Sequence, residues 1–383
     1  MSADRVDEVS RAVGGVLDPE LRRPLAELDM LRDIAVDGGV AHVGIALTIV
    51  GCPAADRIAS DVRAAAASVT GIDDVELSVG VMTPAERAAL TERLRGGRAA
   101  REIPFDRDGL TRVVAVTSGK GGVGKSSVTA NLAVTLARRG LAVGVIDADV
   151  HGFSIPALLG LVDDDGIPPQ PTRIDDLMLP PVAHGVKVIS IGMFLRRPSG
   201  DAPHGAVAWR GPMLHRTIQQ FLTDVHFGDL DVLLIDMPPG TGDVAISVGQ
   251  LLPGADVLVV TTPQVAASDV AVRSAIVARQ TGQRVVGVVE NMAALPLPDG
   301  SMLSLFGEGG GEAVAATLST SDEPVPLLGS IPLSVPLRTG GDTGMPVVLT
   351  QPDDPASVAI ERVADSLVRP RGLAGKKLPL HPA

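Results

Sequence analysis

Val113-Val114-Ala115-Val116-Thr117-Ser118-Gly119-Lys120-Gly121-Gly122-Val123-Gly124-Lys125-Ser126-Ser127 runs from an apolar strand through a glycine-rich turn into an Ala/Leu-rich helix. Glycines let the backbone turn tightly and aim its N–H groups inward, which makes a concave anion site. The helix opening near Lys125 adds the positive end of its dipole. Lys125 is placed to reach the β- and γ-phosphates and Ser126 to ligate Mg²⁺, so Gly119 through Ser127 read as a cradle for ATP.

Outward from this loop, apolar runs recur at Val113–Val116, Ala142–Ile146, Val186–Ile191, Val232–Ile235, Val257–Val260 and Val285–Val289, with helical stretches between most of them. Continuous Val/Ile/Leu strands alternating with helices predict a mostly parallel, doubly wound α/β sheet covered on both faces. Ligands are then expected at the carboxyl ends of the strands. Residues 1–95 read as a separate small α/β domain, with two strands turning at Asp37-Gly38-Gly39 and a helix capped by Thr83-Pro84. The expected division is a small domain at 1–95, a linker at 96–110, the nucleotide domain at 111–368 and a loose Pro/Gly/Lys-rich tail at 369–383.

A second strand supports the first. Asp231-Val-Leu-Leu-Ile-Asp236 is apolar and ends in an acid, the pattern that sets a carboxylate beside Mg²⁺. It leads into Met237-Pro-Pro-Gly-Thr-Gly-Asp243, stiffened by prolines and hinged at glycines, a loop suited to respond to the γ-phosphate. Asp147-Ala148-Asp149 follows a third strand, and Asp147 is open to reading as a structural cap. Lys120, five residues before Lys125, reads either as a solvated surface lysine or as a second phosphate ligand.

The string Lys120-Gly-Gly-Val-Gly-Lys-Ser126 resembles the deviant Walker A loop of MinD-like ATPases. That resemblance implies a homodimer in which Lys120 crosses to the partner's nucleotide. Within that group the chain is most similar to the Mrp/ApbC branch of iron–sulfur cluster carrier ATPases. The strings that carry this are Asp147-Ala-Asp-Val-His-Gly152, Asp236-Met-Pro-Pro-Gly-Thr-Gly-Asp243, Glu290-Asn-Met292, Phe306-Gly-Glu-Gly-Gly-Gly311, Leu328-Gly-Ser-Ile-Pro-Leu333 and Gly341-Asp-Thr-Gly-Met-Pro346. By position the resemblance implies that Asp149 orients the attacking water, Asp236 serves Mg²⁺ and Asn291 hydrogen-bonds adenine. Asn291 alternatively reads as a strand-end turn residue. Asp18-Pro-Glu20, Leu47-Thr48 and Cys52-Pro53 make residues 1–95 similar to the SufT-like domain of iron–sulfur assembly proteins.

The pattern breaks at one place. Mrp-type chains commonly carry a C-x-x-C pair just after Glu-Asn-Met, where this chain has Ala293-Ala-Leu-Pro-Leu-Pro-Asp-Gly-Ser-Met-Leu303. The only cysteine is Cys52. Its position before Pro53 suggests a helix N-terminus that lowers the thiol pKa and makes a cluster thiolate, against the alternative of a buried, inert thiol. The seven histidines show no zinc-site spacing. His151 reads as a loop histidine or a nucleotide neighbour, and Trp209-Arg-Gly-Pro212 as the lead-in to a helix packed in the core or a dimer.

A net charge of −12 and an aromatic content of 2% oppose sequence-independent nucleic-acid binding, which needs a basic footprint or a stacking platform. The apolar runs are too broken for a membrane span, and the absence of a leader-like start together with the single Cys points to the cytoplasm. The functional expectation is an ATP-hydrolysing iron–sulfur cluster carrier that hands clusters to apoprotein clients or works with assembly factors. The alternative is a metal-free dimeric nucleotide switch, or a chaperone-like ATPase, that positions a protein partner.

Overall fold

The computed structural model describes residues 2–49, 52–96, 102–105, 109–150, 152–195, 211–297 and 299–368. His151, Trp209, the 369–383 tail and part of the 96–110 linker lie outside them. Two compact units are present, the smaller made of residues 1–102, 171–182 and 224–228.

In the small unit, helix α1 (Ser2–Gly14) precedes strands β1 (Leu31–Asp37) and β2 (Val40–Leu47), helix α2 (Ala55–Ala67), strand β3 (Asp74–Val81) and helix α3 (Pro84–Arg95). β1 and β2 pair antiparallel across the Gly38-Gly39 turn, and β3 adds parallel to β2. Thr83 opens α3 with a capping box, accepting from the Glu86 amide while the Glu86 carboxylate accepts from Thr83 N. Two short strands from later in the chain, β6 (Thr172–Ile174) and β7 (Leu177–Leu179), form a hairpin that belongs to this unit. Their Ile174, Leu177 and Leu179 join Val9, Leu25, Ile45, Ile58 and Leu90 in its core. Thr172 Oγ1 donates to Glu20 at 2.7 Å, and Arg95 pairs with Asp176.

The large unit contains β4 (Arg112–Ser118), α4 (Lys125–Arg138), β5 (Val143–Asp147), α5 (Ile155–Leu158), β8 (Val182–Ala183), β9 (Val186–Ser190), α6 (Gly211–Thr223), β10 (Val232–Asp236), α7 (Asp243–Leu251), β11 (Asp256–Thr261) and α8 (Val265–Gln280). It continues with β12 (Arg284–Ala293), the small pair β13 (Leu295–Pro296) and β14 (Met302–Leu303), α9 (Gly310–Leu318), β15 (Leu327–Pro332), α10 (Val335–Thr343), α11 (Val347–Thr350) and α12 (Pro355–Val368). The sheet order is β15-β12-β11-β4-β10-β5-β9-β8. The pairs from β15 through β9 are parallel. β8 turns back on β9 through His184-Gly185, which makes the sheet mixed at that edge. The central strands are fully buried, as continuous apolar runs require: β10 and β11 expose no residue. α4, α11 and α12 pack together, and α6 through α9 form a second consecutive layer.

β4 leads out to β5 on one side of β10, while β10 leads out to β11 on the other side of β4. The chain therefore diverges at β4/β10, and the glycine loop leaves β4 at this switch point, where doubly wound sheets hold their ligands.

Candidate functional site

Parallel register assembles the site. Asp236 at the end of β10 is level with Asp147 at the end of β5, which is level with Ser190 at the end of β9. These three polar residues close apolar strands, and Ser190 Oγ donates to Asp147 Oδ2 at 3.0 Å.

Lys125, the first residue of α4, points its ammonium at Asp236, Nζ to Oδ2 2.5 Å, with both side chains buried. Ser126 Oγ donates to the same oxygen at 2.6 Å, and Thr129 Oγ1 donates to Oδ1 at 2.8 Å. A buried ion pair is maintained only when the remaining lone pairs are satisfied, and the two hydroxyls do that here. Burial, reinforced by the charge of Asp236, pushes Asp147 up to about 8 despite the Ser190 hydrogen bond and the nearby Lys125. Asp147 also accepts from the Ser154 and Ile155 amides at 3.1 and 3.2 Å, so it caps the start of α5. Asp149 is buried and accepts from Gly152 N at 3.0 Å.

The loop is fixed by close approach. A Cβ on Gly119 would lie 2.3 Å from Ala271 N, so the backbone of α8 presses directly on the loop entrance. Gly124 caps α4 with φ +77°, and a Cβ there would fall 2.2 Å from Asn291 Nδ2. Asn291 Nδ2 donates to Val123 O at 2.8 Å, which ties the end of β12 to the loop. Gly240, in the Pro238-Pro239 loop, donates its amide to Ser118 O and accepts from Ser274 Oγ at 2.7 Å. Lys120 is half-buried and its Nζ donates to Gln264 Oε1 at 2.8 Å. A cavity of about 550 Å³, lined largely by apolar side chains including Leu295, Leu333 and Leu337, opens beside Gly124, Ser127 and Asn291.

Asp149 stands two residues beyond β5, bonded to Gly152, while Lys120, Lys125, Ser126, Asp236 and Asn291 are gathered at one loop. Thr129, Ser190, Gln264 and Ser274 complete it and were not singled out from sequence. Thr129 was findable, because it stands four residues after Lys125 on the same helical face. The other three depend on strand register and helix docking.

Comparison with known proteins supplies the family. Residues 109–368 match the model of a ParA family described as NUBPL iron-transfer P-loop NTPase. The chain belongs to this P-loop NTPase family. Residues 6–79 match a second model, described as an iron-sulfur cluster assembly protein. An iron-sulfur cluster carrier protein of Mycobacterium bovis is 54% identical over 98% of this chain and 96% of its own length. The protein of the same name in Mycobacterium leprae is 52% identical over all of this chain and 98% of its own. Among solved structures, a nucleotide-binding protein from Archaeoglobus fulgidus in complex with ADP is 35% identical, covering 64% of this chain and 92% of that one, with a TM-score of 0.47.

The expectation that this P-loop NTPase binds and transfers clusters is corrected by its own residues. Among the described residues no group of three or more His, Cys, Asp or Glu side chains is arranged to hold a metal ion. Cys52 is buried, and its sulfur accepts from the amides of Ala54 and Ala55, the cap and first residue of α2, so the expected helix N-terminus is present at the thiol. Burial pushes its pKa up, against hydrogen bonding from the Ala54 amide. Burial and a raised pKa are what the buried-thiol alternative expects. Among the described residues no helix is long and apolar enough to cross a membrane.

Proposed function

We propose that the protein is an ATP- and Mg²⁺-dependent dimeric nucleotide switch, without metal cargo, that positions a protein partner. The observation that carries this reading is the buried knot of Lys125, Ser126, Thr129 and Asp236 at the mouth of the glycine loop. The donor set suits Mg²⁺, which takes hard oxygen ligands such as the Ser126 hydroxyl and the Asp236 carboxylate. When bound, the ion neutralises phosphate charge. Nucleotide entry is then an exchange of partners: Lys125 leaves Asp236 for the phosphates, and Asp236 and Ser126 become free to serve the metal. Loop amides and the start of α4 hold the phosphates, while the cavity beside Asn291 has the size of a small-molecule site and suits the nucleoside.

Asp149, buried at the end of the β5 segment, is the residue proposed to orient the attacking water. The Gly240 loop, tied to Ser118 and Ser274, is the element that would carry the γ-phosphate state outward. Lys120 is proposed to act on the nucleotide of a second copy, in the manner of a finger residue. The small unit, whose SufT-like character is part of this proposal, is the candidate for partner contact.

Lys125→Ala is expected to abolish ATP hydrolysis, and retained turnover would remove the assignment. Mixing Lys120→Ala with Asp149→Ala subunits is expected to restore part of the activity lost in each, and no restoration would leave Lys120 acting within its own subunit. Anaerobic reconstitution with iron and sulfide is expected to leave no stoichiometric iron on the protein.

A further inference from the structure

Gln264 has a side chain that does nothing for the helix it opens. It is the N-cap residue of α8, yet it makes no side-chain capping bond. Its Oε1 accepts from Lys120 Nζ instead. The bond spans 144 residues of sequence and joins the end of the β11 segment to the loop after β4.

The helix that presents Gln264 is itself pinned to the phosphate loop. The backbone of Val270 and Ala271 occupies the space a Gly119 side chain would need, and Ser274 Oγ reaches Gly240 O. Gln264 therefore meets Lys120 from a fixed distance, and Lys120 is the long, flexible member of the pair. A lysine ammonium held by an amide oxygen keeps its charge, so it stays attractive to a stronger acceptor such as phosphate.

We propose that Gln264 is a positioning residue that parks Lys120 on its own subunit until nucleotide-dependent pairing draws the ammonium away. The proposal rests on the reading of Lys120 as a residue that acts across a dimer. Each productive encounter must break this bond, so Gln264 is a brake on pairing and turnover. Replacing the amide by a carboxylate turns the bond into an ion pair and tightens the brake. Removing it leaves Lys120 free, and α8 loses no cap.

The test uses the full chain, with ATP turnover measured against subunit concentration and ATP-dependent dimerisation followed by sedimentation. Gln264→Ala is expected to raise kcat at limiting subunit concentration, and Gln264→Glu to lower it, each by about threefold or more, the scale of one half-exposed hydrogen bond. KM for ATP and the melting temperature should stay unchanged in both. In a Lys120→Ala background the two substitutions should have no effect. A shift of both variants in the same direction, or a Gln264→Ala enzyme no faster than wild type, overturns the proposal. Full activity in Lys120→Ala alone would instead remove the reading of Lys120 beneath it.

Discussion

The side-chain amide of Asn291 donates to the main-chain carbonyl of Val123 at 2.8 Å, and so clamps the end of β12 to the glycine-rich turn after β4. The same amide fills the space where Gly124 lacks a side chain. Asn291→Ala would leave a buried carbonyl without this partner, at a cost of about 1–3 kcal/mol. We expect nucleotide affinity to fall at least fivefold, measured by titration calorimetry. Asn291→Asp should do no better, because a carboxylate oxygen would then face the carbonyl. Wild-type affinity in both variants would show that the clamp does not shape the loop.

Gly119→Ala is a direct test of how tightly α8 seats on the loop. The added methyl would need to occupy the position of the Ala271 amide. Neither backbone can yield cheaply, so a loss of about 2 kcal/mol or more is expected, together with loss of nucleotide binding. Denaturant unfolding and binding of a fluorescent ATP analogue would check it.

Glu20 sets a pH dependence in the small unit. Burial pushes its carboxyl up to about 7, opposed by the Thr172 hydrogen bond and reinforced by Asp18. A group whose folded-state pKa is raised stabilises fully below its unfolded value, here 4.5, and that contribution is lost as pH rises through about 7. Glu20→Gln keeps an oxygen to accept from Thr172 and carries no charge. Its melting temperature should exceed that of wild type by about 2 °C or more at pH 8, with the gap closing towards pH 4.5. A constant gap across this range would sink the assignment.

Cys52 should react slowly with a thiol-directed disulfide reagent at pH 7 in the folded protein and rapidly once unfolded, because burial both shields the sulfur and disfavours the thiolate. A fast native reaction at pH 7 would restore the reactive-thiol reading.

The candidate site was legible in the sequence wherever residues were close in the chain or closed an apolar run. The loop from Gly119 to Ser127, Asp236 and the central strands belong to that class, since local pattern and burial agree there. β15 was missed because Leu327–Pro332 is an edge strand, mostly half-buried and broken by Gly329 and Pro332, and carries no continuous apolar signal. The hairpin of β6 and β7 was missed because its three-residue strands are too short to show a period. Cys52 was ambiguous because Pro53 favours a helix start, but the chain takes a turn through Pro53-Ala54 and the helix begins at Ala55. Gln264 left no signal, since a parked lysine is visible only once strand order has been settled.

Because the small unit draws Ile174, Leu177 and Leu179 into its core, its fold is not finished when its first hundred residues have been made. At about 5–20 residues per second, the ribosome must go on for several seconds before that hairpin exists, and longer before residues 224–228 follow. The amino-terminal segment therefore matures together with the first half of the nucleotide unit, and a fragment ending near residue 102 would expose the apolar surface that the hairpin covers.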